Sequence, residues 1–150
     1  MAETWSEDRL VADGFRRVLV ELDRYDGVRA GLTEVDGKVH YFQSLNQFDM
    51  VDEVEYYVWP ASDDVAAMER EQWVIYVEWN RRYEAGEAGV DSHPGHGGLD
   101  ARYDELKSLL TPHRRAPADA LRMLAEWRFG PGARYRAEGI DTWVRWKAIG

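Results

Sequence analysis

The loop at residues 91–96 holds the residues best suited to metal chemistry. Its sequence, DSHPGH, places two imidazoles three residues apart with a carboxylate close by. Imidazole and carboxylate are the ligands that divalent transition metals take when thiolate is absent. Asp91, His93 and His96 are therefore candidate metal ligands. The alternative is a purely structural loop, because this spacing lacks the i, i+4 geometry of a helical zinc site.

An aromatic stripe supplies the second candidate site. Trp73, Tyr76, Trp79 and Tyr83 recur every three or four residues, which places them along one face of a helix. Such a stripe commonly packs into a core, but it can also line a cleft against a sheet, where a few polar groups orient a ligand. We therefore take Tyr76, Glu78, Trp79 and Tyr83 as candidate ligand-binding residues.

The third candidate is the turn YDGVRAG at residues 25–31. Asp26 and Arg29 bring opposite charges into a tight connection between strands, where they can pair with each other or hold an anionic ligand. Turns also use Asp and Gly for conformational reasons alone. Both interpretations of Asp26 and Arg29 stay open at this point.

The common catalytic signatures are absent from the sequence. It contains no G-x-S-x-G, Walker A, G-x-G-x-x-G or H-E-x-x-H motif, and no cysteine that could act as a nucleophile or thiolate ligand. Ser92 adjoins His93, but neighbouring side chains rarely face each other as a nucleophile and its base must. The sequence therefore indicates no catalytic residue and no cofactor, and it argues against a standard hydrolytic or phosphoryl-transfer enzyme.

Charge and hydropathy restrict the partners and the location. The chain has 150 residues and a formal net charge of −9, which opposes the neutralisation of phosphates and disfavours direct nucleic-acid binding. Its first residues, MAETWSEDRL, have no apolar core, and no segment approaches the roughly 18 apolar residues of a membrane span. We therefore expect a cytoplasmic protein that does not enter a membrane.

Strands dominate the first part of the chain. Apolar and polar residues alternate from Phe15, a hairpin signal follows at Asp36-Gly37, and a β-branched and aromatic run stops at Pro60. This pattern predicts a meander of four strands. Residues 1–14 are predicted to form a polar N-terminal lead-in, so we expect a single α+β domain over residues 15–150.

Helices follow the meander. A long helix is predicted from a cap at Ser62 to Gly86, and a shorter one over residues 100–110. Residues 121–129 alternate with the period of a strand, although their alanine-rich approach also suits a helix, and residues 142–149 form a last strand. The predicted fold is α+β: a twisted antiparallel sheet of about six strands, able to curl toward a barrel, packed with one long and one short helix.

The arrangement resembles a group of small, uncharacterised bacterial proteins of actinobacterial type. Those proteins run from a YDGPRSG-like turn through a Trp-containing helix to an HP loop, as this chain does at residues 25–31, Trp79 and residues 93–94. Val28 and Ala30 replace the proline and serine of that turn. The resemblance spans roughly residues 17–129 and implies a fold without an assigned activity.

Two functions from different classes follow. The acidic charge, the seven Trp and eight Tyr, and the missing catalytic signatures favour a non-catalytic protein-interaction module of the immunity, antitoxin or accessory type. Its partner would be another protein, a basic one where the acidic surface takes part. The alternative is a small-molecule- or metal-binding protein, or an unusual enzyme, with a pocket between the long helix and the sheet. A nucleic-acid mimic is a third interpretation.

Overall fold

A curled antiparallel sheet and one long helix dominate the structure, a computed structural model that describes residues 4–24, 28–45 and 55–149. The helices are α1 (Glu7–Ala12), α2 (Asp63–Glu84) and α3 (Ala101–Leu110). The strands are β1 (Arg16–Arg17), β2 (Val20–Arg24), β3 (Val28–Val35), β4 (Lys38–Ser44), β5 (Glu55–Pro60), β6 (Leu121–Phe129), β7 (Tyr135–Arg136), β8 (Gly139–Ile140) and β9 (Thr142–Ala148). The predicted α+β class is confirmed.

The sheet curls because its two edge strands are consecutive parts of one segment. Its seven strands lie in the order β1-β9-β6-β5-β4-β3-β2, so that β1 pairs with one edge and β2 with the other. Between them, the Val18 N–H donates to the Thr142 carbonyl at 3.0 Å and the Leu19 N–H donates to the Leu32 carbonyl at 2.8 Å. The segment at residues 16–24 therefore ties both edges together and gives a half-barrel.

The structure contains the predicted hairpin and decides whether residues 121–129 form a strand or a helix. Asp36 and Gly37 have φ of 52° and 80°, as a type I′ turn between β3 and β4 requires. Residues 121–129 form strand β6, which pairs with β5 and β9, so the helical alternative is wrong. The sequence did not predict the small hairpin β7–β8, nor the short 3₁₀ turns Val90–Ser92 and Pro94–His96 within the glycine-rich loop.

Helix α2 begins and ends where its capping residues dictate. The Ser62 hydroxyl accepts a hydrogen bond from the Val65 N–H at 3.2 Å, and Asp63 and Asp64 face the positive end of the helix dipole. Gly86, with φ of 76°, follows the last turn. None of the helices in the described ranges combines the length and apolar character needed to cross a bilayer.

Large rings fill both faces of the sheet. Tyr41 on β4 and Trp59 on β5 are cross-strand partners whose rings stack at 5.3 Å, on the face that meets α2. Residues of the opposite face form a second cluster, with ring centroids 5.5 to 6.4 Å apart. That cluster consists of Phe42, Tyr56, Trp127 and Trp146. Part of the aromatic surplus therefore belongs to the core.

A buried ion pair joins α2 to the sheet and to the turn after α3. Glu69 is fully buried, and its carboxylate accepts hydrogen bonds from the Tyr41 hydroxyl at 2.7 Å and from Arg114 Nε and Nη2 at 2.9 and 2.7 Å. Arg114 Nη2 also donates to Gln72 Oε1 at 2.6 Å. A buried carboxylate is tolerated only when it is paired and hydrogen-bonded, and these donors meet that requirement.

Removing this carboxylate should destabilise the protein strongly. We expect Glu69→Ala to lower the free energy of unfolding by about 3 to 5 kcal/mol, because Arg114 and Tyr41 lose their shared buried partner. Glu71→Ala is the matched control, since Glu71 lies on the same helix but pairs with Arg102 at the exposed surface. Urea unfolding monitored by circular dichroism measures both. Equal effects of the two substitutions would contradict this account of Glu69.

Candidate functional site

A cleft of about 290 Å³ lies between α2, strand β2 and the loop that follows α2. Strand β2 contributes one wall, and α2 contributes the other through Gln72, Trp73 and Tyr76. The remaining lining residues come from four separate parts of the chain: His93, Tyr103, Arg114 and Tyr135. Ligand pockets commonly measure about 300 to 1,000 Å³, so this cleft suits a small molecule.

One wall of the cleft is a packed group of three rings. Trp73 and Tyr76 stack at 5.6 Å, and the ring of Tyr135 meets them edge-on at 5.8 and 5.3 Å. The Trp73 Nε1–H donates to the Arg136 carbonyl at 2.8 Å, which fixes the β7–β8 hairpin against α2. The wall is thus rigid and presents ring surface together with the hydroxyls of Tyr76 and Tyr135.

Glu21 brings a carboxylate to the β2 side of the cleft. Its side chain is only 9% exposed, with Arg24 Nη1 at 3.3 Å and Arg134 Nη2 at 3.8 Å from its oxygens. Burial raises the pKa of Glu21 above its ordinary value, while Arg24, Arg134 and a hydrogen bond with Tyr135 act in the opposite direction. Burial outweighs the two guanidinium groups, so the charged form of Glu21 is destabilised in the folded protein.

His93 occupies the loop side of the cleft. The Gly95 N–H donates to His93 Nδ1 at 2.8 Å, which leaves the proton of the neutral ring on Nε2. Burial, and then the charge of His96, lowers the pKa of His93, so the ring is neutral near pH 7. The imidazole lies 4.5 Å from the ring of Trp79 and 5.4 Å from that of Tyr76. A Cβ at residue 95 would lie 2.9 Å from the imidazole, so any larger residue there would displace the His93 ring.

The cleft's tyrosines are hydrogen-bond donors rather than bases. Burial raises the pKa of Tyr76, Tyr103 and Tyr135, so each keeps its proton at neutral pH. Tyr135 hydrogen-bonds with Glu21 and Tyr76, so the donors left for a ligand are the Tyr103 hydroxyl, the Nε2–H of His93 and the guanidinium of Arg114. Glu21 and Asp23 on β2 provide the carboxylate oxygens of the cleft. This arrangement suits binding of a small polar molecule.

The structure divides the predicted ligand-binding residues between different places. Tyr76 lines the cleft, whereas Glu78 and Trp79 line a separate groove on the outer side of α2, and the exposed Tyr83 stacks on Trp79 at 5.2 Å. Arg29 belongs to β3, and its charge acts on the Tyr56 hydroxyl. Asp26 lies outside the described residues. The aromatic stripe therefore serves two surfaces.

The described structure does not bring Asp91, His93 and His96 together as one group of three ligands. Across residues 4–24, 28–45 and 55–149, no three His, Cys, Asp or Glu side chains converge closely enough to hold a metal ion. His93 and His96 stack with ring centroids 5.4 Å apart, and Asp91 is exposed. Because Gly95 already occupies His93 Nδ1, only Nε2 of that ring stays open to a ligand.

Sequence analysis missed most of the residues that line the cleft. Glu21, Gln72, Tyr103, Arg114 and Tyr135 are separated by long stretches of chain, and none belongs to a local motif. One weak signal existed, because Glu21 places a charge between the apolar residues of a strand. The other four could only be recognised once the fold had brought them to one place.

Comparison of the chain with protein-family models, with curated proteins and with solved structures finds no match. The resemblance to small bacterial proteins with a YDG turn and an HP loop therefore stays a prediction.

The raised pKa of Glu21 should make its contribution to stability depend on pH. The folded state holds the Glu21 proton more tightly than the unfolded chain does, so this carboxyl favours folding most below its ordinary pKa of 4.5. We expect the unfolding free energy of the wild type, relative to Glu21→Gln, to decline as the pH rises through the folded pKa. Urea unfolding from acidic to neutral pH measures that difference.

Glu126→Gln is the control for this pH profile. A hydrogen bond from Arg145 lowers the pKa of Glu126, so its contribution is present above the ordinary value and is lost as the pH falls through the folded pKa. The two variants should therefore give slopes of opposite sign. Slopes of the same sign would show that Glu21 does not carry the burial penalty inferred for it.

Proposed function

We propose that this protein binds a small polar molecule in the cleft between α2 and β2. The observation that carries the proposal is the convergence of Glu21, His93 and three tyrosines from distant parts of the chain in one cavity of about 290 Å³. A few polar groups set in a rigid aromatic wall are typical of small-molecule sites. This matches the alternative function predicted from the sequence, with a pocket between the long helix and the sheet.

Unused hydrogen-bonding groups support the proposal. Within the described part of the chain, the Tyr103 hydroxyl and His93 Nε2 make no hydrogen bond to protein, although both residues are partly buried. A bound molecule could satisfy these groups while covering the rings of Trp73 and Tyr76. A bound molecule would give these two groups the hydrogen-bond partners that the described residues do not supply.

Binding, rather than turnover, is the activity that the chemistry of the cleft supports. Tyr76, Tyr103 and Tyr135 hold their protons, because burial raises the pKa of each. His93 uses its Nδ1 to accept the Gly95 N–H, and the described lining contains no serine or lysine that it could activate. The proposal therefore assigns the cleft no covalent step.

A blocked cleft tests the proposal directly. Leu22 is partly buried and lines the cleft, so the larger indole of Leu22→Trp should fill the space that a ligand would occupy. Leu99→Trp is the matched control, because Leu99 lines the groove on the other side of α2. We expect compounds found by ligand-observed NMR in a library of small polar aromatics to bind the wild type and Leu99→Trp, but not Leu22→Trp. Circular dichroism checks that both variants fold.

Two results would contradict small-molecule binding in the cleft. One is that hits bind Leu22→Trp as well as they bind the wild type. The other is that no compound in the library binds the wild type at all.

We also propose, as a second function, that the outer side of α2 binds a basic partner protein. The groove there measures about 370 Å³ and is lined mainly by apolar atoms, including those of Val74 and Leu99, which are 45% and 53% exposed. Adjoining exposed apolar residues on a surface often mark a site of protein association. The net charge of −9 favours a partner of opposite charge.

Introducing a carboxylate into the apolar lining of the groove tests this second function, because a charge buried against a partner is costly. We expect a basic protein co-purified from the native host to be lost from Leu99→Glu and released by added salt, while Leu109→Glu, an exposed site on α3, retains it. Retention by Leu99→Glu, or a partner that is not basic, would contradict the assignment of the groove.

A further inference from the structure

We infer that the molecule bound in the cleft carries a carboxylate, held by Arg114, Tyr103 and His93, with an aromatic body that lies against Trp73 and Tyr76. The inference rests on the proposed small-molecule function of the cleft and adds the chemical class of the ligand. It depends on which hydrogen-bonding atoms the fold leaves open at that end of the cavity.

Arg114 is oriented by Glu69 and keeps one edge for the cleft. Its Nε and Nη2 donate to the two oxygens of Glu69, and Nη2 also donates to Gln72. Within the described residues, Nη1 has no hydrogen-bond partner, and the side chain is 23% exposed where it lines the cleft. The buried ion pair therefore holds a guanidinium N–H ready for an anionic ligand.

Two neutral donors complete this corner: the Tyr103 hydroxyl, on which the charge of Arg114 acts, and His93, which lies near Tyr103 at Gly95. A Cβ added to Gly95 would lie 3.9 Å from the Tyr103 hydroxyl and 2.9 Å from the His93 ring, so both side chains approach Gly95. The hydroxyl of Tyr103 and the Nε2–H of His93 thus belong to one corner of the cleft. Both are donors, so the corner suits a ligand group that only accepts hydrogen bonds.

The charge balance favours a monoanion. Glu69 is buried behind Arg114 and offsets its charge, and Asp104, which also acts on Tyr103, accepts a hydrogen bond from the Gly98 N–H. Arg24 lies at the other end of the cleft, beside Glu21, so a phosphate dianion at this corner would need more positive charge than the partly neutralised Arg114 provides. A carboxylate needs only the donors that are present.

The aromatic wall places the rest of the ligand. The Tyr76 ring lies 5.4 Å from the His93 ring at the donor corner and 5.3 Å from the Tyr135 ring, so it lies between that corner and the β7–β8 hairpin. A ligand with its carboxylate at Arg114 therefore extends over Tyr76 and its stacked neighbour Trp73. Stacking on such rings favours a planar body, which gives a small aryl carboxylate.

Phenylacetate and its neutral analogue phenylacetamide test the inference, because they have the same shape but differ in charge. We expect isothermal titration calorimetry to show that the wild type binds phenylacetate at least about tenfold more tightly than phenylacetamide. Tyr103→Phe, which removes only the hydroxyl, should weaken phenylacetate binding by about tenfold or more. Tyr83→Phe is the matched control and should bind as the wild type does, since Tyr83 is exposed on the outer side of α2.

Arg114→Lys gives an independent variant. Lysine keeps a positive charge beside Glu69 but lacks the second edge of the guanidinium, so phenylacetate binding should fall by at least about tenfold. Near-ultraviolet circular dichroism verifies its fold, and Tyr103→Phe decides the matter if this variant does not fold.

The results that would overturn the inference are distinct from failure of the proposed function. The carboxylate assignment fails if phenylacetate does not bind, if phenylacetamide binds equally well, or if Tyr103→Phe binds as Tyr83→Phe does. The cleft keeps its proposed function in these cases if neutral compounds bind it and Leu22→Trp abolishes that binding. Both proposals fail if the wild type binds neither phenylacetate nor any compound of the library.

Discussion

A carboxylate that is fully buried, Glu69, links every layer of this structure. It accepts hydrogen bonds from Tyr41 on the sheet and from Arg114 after α3, while it belongs to α2 itself. Since an unpaired buried charge is strongly destabilising, arrangements of these three elements that separate Glu69 from its donors are disfavoured. The position of α2 over the sheet, and therefore the width of the cleft beside it, depends on this interaction.

The same ion pair connects stability to the proposed binding chemistry. Arg114 satisfies Glu69 with one edge of its guanidinium and lines the cleft with the other. Pre-organised donors lose little conformational freedom when a ligand arrives, which favours affinity. Glu69 is a buried carboxylate whose donors satisfy its charge. Glu21 differs, because burial destabilises its charged form although two arginines lie nearby. Such a penalty is typical of groups retained for a purpose other than folding.

Helix α2 separates two surfaces of different character. Trp73 and Tyr76 face the polar cleft on one side, whereas Trp79 contributes to the more apolar groove on the other. His93 contacts the rings of both Tyr76 and Trp79, so the loop after α2 adjoins both surfaces. The cleft and the groove share no lining residue, which is why variants on one side of α2 serve as controls for the other.

The sequence by itself determined the local elements, because their physical causes are local. Capping at Ser62, the glycine at residue 86 and the Asp36-Gly37 turn all act within a few residues, and each boundary that they predict is found in the structure. Alternation likewise identified strand β6. Tyr76 was predicted as a ligand-binding residue and His93 as a metal ligand, and both line the cleft.

Only the tertiary structure decided how the sheet curls and where the site lies. The half-barrel arises because residues 16–24 pair with both β9 and β3, and no local pattern encodes the pairing of distant strands. Glu21, Tyr103, Arg114 and Tyr135 share a cleft for the same reason, since each is ordinary in its own segment. The loop histidines match the composition of a metal site, and only the fold showed that His93 accepts the Gly95 N–H and that its ring lies tilted against that of Trp79. Residue type and spacing determine local conformation, whereas contact between distant side chains depends on packing that involves the whole chain.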